Sequence, residues 1–127
     1  KQYRLKGSKV DVVLGFNDEE SVFYKEEFEQ LGCNVEIATM DGSVGTKGTV
    51  LDAIHAKNID TDFISACGPL MMLKALDATY TKGYISLEAR MACGLGACMG
   101  CVVKDKEGNS LRVCKDGPVF NAQEVEL

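Results

Sequence analysis

No run of apolar residues in this 127-residue chain approaches the roughly 18 that a membrane-crossing helix needs. Positive charge is scarce: 14 Lys and Arg stand against 19 Asp and Glu, for a net charge of −5. That balance argues against a nucleic-acid partner, because phosphate binding wants a basic face. Histidine occurs once, at His55, and a surface or half-buried side chain is its default reading. No Ser/His/Asp or Cys/His arrangement supports hydrolytic chemistry. Internal repeats and low-complexity runs are missing. So is the G-x-G-x-x-G turn whose backbone N–H groups cradle a dinucleotide pyrophosphate at a helix start. Six cysteines with no segment that reads as a signal peptide lead to the expectation of a reducing cytoplasm, where thiols are kept for metal or redox work. An apolar share of 46% is enough for a globular core. The length leaves room for one ordinary domain, or for a fragment plus a small module.

Cysteine is what the chain does have. Four of its six cysteines crowd the last third: Cys93, Cys98, Cys101 and Cys114. The spacing is C-x4-C-x2-C-x12-C, and its first three positions match the run that holds a plant-type [2Fe–2S] cluster. A two-iron core takes two thiolates on each iron, so the loop must wrap it closely. Gly94, Gly96, Ala97 and Gly100 leave room for backbone N–H groups to approach sulfur. Cys98 and Cys101 also form a C-x-x-C pair, which suits a redox dithiol or half a zinc site. Zinc sites usually come as two separated pairs, whereas here three thiols cluster and one stands apart. A disulfide framework is the third reading and expects a small secreted chain. Cys33, after a predicted helix, reads as a small buried apolar side chain.

The chain divides by pattern into residues 1–83 and 84–127. The first part alternates strand and helix: an α/β pattern that predicts a parallel sheet. Val10–Phe16 is a mostly apolar strand. Asn17, with Glu20 three residues on, predicts a helix cap, and Tyr24, Phe28 and Leu31 form the stripe of one helix that Gly32 ends. Val35–Met40 is a second strand and 41–45 a loop. Thr49–Ala56 is a helix with Val50, Ala53 and Ile54 on one face. Asp62–Cys67 is a third strand. Pro69 takes the first position of a third helix, with Met71 and Met72 in its core and Gly83 as its stop. Beyond 84, Tyr84–Leu87 is extended and leads into the cysteine loop. Val102–Lys104 and Leu111–Val113 form a hairpin turning at 105–109, which returns Cys114 to Cys101. Val119 and Phe120 are an apolar pair in a polar tail. Phe120 reads either as packing under the cluster module or as a partner contact.

The α/β unit, the run Ser65-Ala66-Cys67-Gly68-Pro69-Leu70-Met71-Met72, and the run Leu87-Glu88-Ala89-Arg90-Met91-Ala92-Cys93-Gly94-Leu95-Gly96-Ala97-Cys98 together resemble one family. It is the iron–sulfur electron-transfer subunit of NAD-linked, two-subunit dihydroorotate dehydrogenase, within the ferredoxin reductase-like flavoproteins. The resemblance covers nearly the whole chain but only the C-terminal half of the family's usual length. It implies a fold of partial Rossmann type, residues 1–83, followed by a cluster module, residues 84–127. It implies that Lys1–Lys6 is the helix after a glycine-rich turn, and that the first strand and the FAD-binding barrel are missing. The exposed sheet edge then offers self-association with a second copy.

The implied chemistry is hydride exchange between NAD(H) and FAD. Single electrons then pass through the [2Fe–2S] cluster to the FMN of a dihydroorotate dehydrogenase catalytic subunit, in pyrimidine (UMP) biosynthesis. Cys93, Cys98, Cys101 and Cys114 are the expected ligands. Cys67, Gly68 and Pro69 are expected near the nicotinamide and flavin, since ligands collect where parallel strands end. Asp41, Gly42 and Ser43 resemble a ribose-side loop, although Asp-Gly is also a plain turn former. Without a phosphate cradle, the chain alone is expected to bind NADH poorly and FAD hardly at all, and not to be catalytic by itself. Two other functions compete: a diaphorase-type subunit of a hydrogenase or other oxidoreductase, and a zinc-bound structural or interaction module.

Overall fold

The computed structural model describes residues 1–127, which form two compact units, Lys1–Asp60 and Thr61–Leu127. No helix is long and apolar enough to cross a membrane.

In the first unit a single-turn helix, α1 (Gln2–Leu5), precedes β1 (Asp11–Phe16). β1 pairs in parallel with β2 (Asn34–Thr39), Asp11 opposite Asn34 and Phe16 opposite Thr39. β2 pairs in parallel with the two-residue β3 (Thr46–Lys47), so the order is β1-β2-β3. The expected single helix after β1 is broken. Asp18, not Asn17, caps a 3-10 turn at Glu19–Ser21, accepting the Ser21 N–H at 2.9 Å. Tyr24 then takes a left-handed φ of 64°, and α2 spans only Lys25–Gln30. The aromatic rings explain the break. Phe23 packs edge-on against Phe16 at 5.2 Å and Tyr24 against Phe23 at 4.9 Å. Those contacts hold Phe23 and Tyr24 at the end of β1 and exclude them from a helical stripe. Gly32 ends α2, its N–H bonding to Glu29. α3 (Val50–Ala56) forms as the pattern predicts. Thr49 and Asp52 make a reciprocal capping box, and Val50, Ala53 and Ile54 are its buried face.

The second unit starts with β4 (Ile64–Cys67), the expected third strand. It does not hydrogen-bond to β1, β2 or β3. Its partner is β5 (Gly83–Ser86), in parallel, which pairs antiparallel with β8 (Val119–Asn121). Pro69 is the N-cap of α4 (Leu70–Thr79), one position before the expected one. Met71 is exposed, while Met72 is half-buried against the core. Gly83 does not stop this helix, which ends at Thr79. Gly83 opens β5 at a φ of 145°, and a Cβ there would lie 2.0 Å from the Ile64 carbonyl oxygen. Only glycine allows the two backbones to approach so closely.

The expected hairpin is present: β6 (Val102–Lys104) and β7 (Ser110–Arg112) pair antiparallel. Its tip is an Asp105-centred turn, the carboxylate accepting from the Glu107 and Asn109 N–H groups. One core joins α4, β5, the hairpin and the tail: Leu73, Ile85, Leu87, Cys101, Val113, Phe120 and Val125. Phe120 is 3% exposed, so its partner-contact reading is corrected to packing. Its ring lies on the inner face of β8, opposite Ile85, while Val119 faces out. Because β4 pairs with β5 and Leu73 of α4 joins the same core, the compact unit begins at Thr61, upstream of the pattern change at 83/84.

Candidate metal centre

The run from Cys93 to Cys101 has no regular secondary structure and folds as successive turns. The turns aim N–H groups inward. Leu95 and Cys98 each donate to the Cys93 sulfur at 3.4 Å, and Gly100 donates to the Cys98 sulfur at 3.5 Å. The hairpin closes the fourth side. Val113 donates its N–H to the Cys101 carbonyl at 3.0 Å, and Cys114 donates to the Cys101 sulfur at 3.4 Å. The expectation that β6 and β7 return Cys114 to Cys101 thus has a geometric cause.

All six cysteines are free thiols. The four clustered ones fall into neighbouring pairs, Cys93 with Cys98 and Cys101 with Cys114. Hydrogen bonds from the Cys98 and Leu95 backbones, then from the Cys98 thiol, pull the Cys93 thiol down to about 6. Cys114 is pushed up, first by its hydrogen bond with the Cys101 thiol and then by burial. Only two residues separate Cys98 from Cys101, so the two pairs are adjacent along the chain. No three or more His, Cys, Asp or Glu side chains are drawn together in a ready-made metal cluster. Two thiol pairs, each supplied with N–H donors to sulfur, fit a two-iron core, which takes its thiolates in twos. Cys101 is buried in the core, whereas Leu95 and Met99 stand out at 82% and 66% exposed.

Gly96 is where the loop meets the hairpin. Its carbonyl accepts from the Arg112 guanidinium at 2.7 Å. At a φ of 79°, a Cβ on Gly96 would meet the Lys115 side chain at 2.6 Å. The sequence reading passes over Arg112. Its one available signal is that it is the only arginine between Cys101 and Cys114.

The expected nucleotide-side residues lie in different units. Asp41, Gly42 and Ser43 follow β2 in the first. Asp41 accepts from the Ser43 N–H at 2.9 Å and hydroxyl at 2.7 Å, which holds its carboxyl below the usual range. Ser43 in turn accepts the Glu19 N–H at 2.8 Å. Cys67, Gly68 and Pro69 join β4 to α4 in the second unit, with Cys67 exposed. A cleft of about 200 Å³ opens beside them, lined by Gly68, Pro69, Leu70, Leu73, Leu87 and Glu88. Cys33 is half-buried, and His55 is exposed at the end of α3.

Comparison with known proteins agrees with this geometry. Residues 88–126 match the iron–sulfur cluster binding domain of dihydroorotate dehydrogenase B. Over its full length the chain is 49% identical to the electron transfer subunit of dihydroorotate dehydrogenase B (NAD(+)) from Fusobacterium nucleatum, covering 51% of that protein. Over 96% of its length it is 50% identical to the same subunit from Bacillus mycoides, covering 49% of it. The chain therefore spans about half the length of the curated relatives it matches. Among solved structures, a chain of the NADH-dependent reduced ferredoxin-NADP oxidoreductase superposes with a TM-score of 0.79 at 27% identity. That match covers 97% of this chain and 46% of the other. By cysteine geometry, fold and sequence together, the chain resembles about half of the dihydroorotate dehydrogenase B electron transfer subunit, and its residues 88–126 match that family's iron–sulfur cluster binding domain.

Proposed function

We propose that this chain carries single electrons through a [2Fe–2S] cluster held by Cys93, Cys98, Cys101 and Cys114. The carriers on either side would be NAD(H)/FAD and the FMN of a dihydroorotate dehydrogenase subunit, in cytoplasmic pyrimidine biosynthesis. The observation that carries the reading is the pair of thiol pairs with N–H donors on Cys93, Cys98 and Cys101. When bound, the cluster supplies one-electron chemistry. The protein supplies the rest. Cys101 anchors the site in the core with Cys114 packed beside it, and the turns at 93–101 carry the half-buried Cys93 and Cys98. Exposed Leu95 and Met99 form an apolar rim suited to a subunit contact that excludes water. Asp41, Gly42 and Ser43 are proposed for the ribose side of the pyridine nucleotide. Cys67, Gly68 and Pro69 are proposed for its reacting end, beside the cleft under Leu87.

Protein purified anaerobically is expected to be brown, with about two iron and two sulfide per chain. Cys98→Ser should bleach it, and Cys33→Ser should not. One zinc and no iron would overturn the reading in favour of a structural zinc module. Iron without co-purification of the FMN subunit would redirect the assignment to another oxidoreductase.

A further inference from the structure

Two basic side chains converge on Gly96, in the middle of the cysteine loop of an otherwise acidic chain. Arg112 extends from the end of β7, and its Nη1 donates to the Gly96 carbonyl at 2.7 Å. The aliphatic stem of Lys115 lies over the Gly96 α-carbon. Gly96 itself sits in the loop between Cys93 and Cys98, and Arg112 stands two residues before Cys114. The Arg112–Gly96 bond thus ties the loop that carries one thiol pair to the hairpin that leads to the other. The cation is only partly offset. Asp116 lies 3.7 Å from Arg112 Nε and is itself bonded to the Arg112 backbone N–H at 2.7 Å. About a third of each side chain is exposed.

We propose that Arg112 is a positioning residue with a second duty. It pins the cysteine loop through Gly96, and its charge raises the reduction potential of the group that the four cysteines hold. The inference rests on the cluster reading above. Reduction adds one electron to the site and takes up nothing else, so the site becomes more negative by one unit. A fixed cation alongside stabilises that state relative to the oxidised one. The stabilisation is strengthened by partial burial and weakened by salt. Asp116 acts with the opposite sign. Arginine suits the dual task better than lysine, because its planar fork bonds a carbonyl while keeping its charge at any working pH.

The test is a redox titration of the full chain, loaded with iron and sulfide and followed by electron paramagnetic resonance. Iron content is measured on every sample. At the potential where the native protein is half reduced, Arg112→Gln is expected to lower the reduced-to-oxidised ratio about three- to tenfold, the size expected of one partly screened charge. Arg112→Lys should restore most of that ratio but show a broadened signal, because the bond to Gly96 is lost. Asp116→Asn, which still offers an oxygen to the Arg112 N–H, should move the ratio the other way. An Arg112→Gln protein with full iron and an unchanged ratio overturns the proposal. So does a shift of the same sign in Arg112→Gln and Asp116→Asn. If Arg112→Gln fails to hold iron, an unchanged ratio in Asp116→Asn decides against the proposal. A native chain that takes up no iron overturns the cluster reading, and this inference falls with it.

Discussion

Phe120 and Val119 are neighbours in a three-residue strand with opposite fates. The Phe120 ring lies so close to Gly117 that a Cβ there would sit 2.5 Å from its Cε2. Leu73, Ile85 and Val113 share the same core. Val119 points to solvent, 53% exposed. Removing a buried ring forfeits both its transfer energy and the contacts of the cavity it leaves. Phe120→Ala should therefore cost about 3–5 kcal/mol in urea unfolding, while Val119→Ala stays within about 0.5 kcal/mol. A Phe120→Ala protein as stable as Val119→Ala would show that the ring is not core. That Cys93 and Cys98, and Cys101 and Cys114, lie together was legible from spacing and turn chemistry, because the loop is short and the hairpin local. The side on which Phe120 falls was not. Three residues show too little alternation, and the decision rests on β8 pairing with distant β5. Arg112 was illegible for the same reason: its role is a contact 16 residues away in sequence.

The β6–β7 hairpin is the element on which the site depends, since Cys101 leads into it and Cys114 follows it. Asp105 organises its tip. The Asn109 side chain, then backbone N–H groups, hold its carboxyl below the ordinary 3.8. A depressed folded-state value means that the charged form stabilises the fold above that ordinary value. The contribution is lost as pH falls through the lower, folded one. Asp105→Ala should thus be less stable than the native chain near about pH 5, and the gap should narrow toward about pH 2.5. An equal gap at both would show that the charge is irrelevant and the turn shape alone matters. The hairpin was legible because Glu107-Gly108-Asn109 is turn chemistry between two short apolar runs. The helix that ends at Gly32 was misjudged at its start: it begins at Lys25 and not after Asn17. Edge-on packing of Phe23 against Phe16 outweighed the helical preference there, in a segment too short to insist on it. Strand membership was harder still. Ile64–Cys67 reads as one more parallel strand, and nothing local tells that its partner is β5.

Over the whole molecule, the four clustered cysteines and the side chains that pack behind them lie in Thr61–Leu127. A piece comprising residues 61–127 should therefore take up iron and sulfide with the absorption spectrum of the full chain. Residues 84–127 alone should not, because they lack β4 and Leu73 and leave Ile85 and Phe120 uncovered. So small a core leans on its metal for stability. Equal spectra from the two pieces would place the working boundary at 83/84. The hydrogen bonds to sulfur also differ from the sheet in sequence range. Three of them span two to five residues and the fourth spans thirteen, whereas β8 must come back from Val119 to meet Ser86. Short loops close sooner than long ones. During folding, the sulfur-bearing turns and their hairpin are thus expected to assemble before the sheet beneath them is complete. The order of events would then run from the metal-binding rim inward, opposite to a core that forms first and positions its surface afterward.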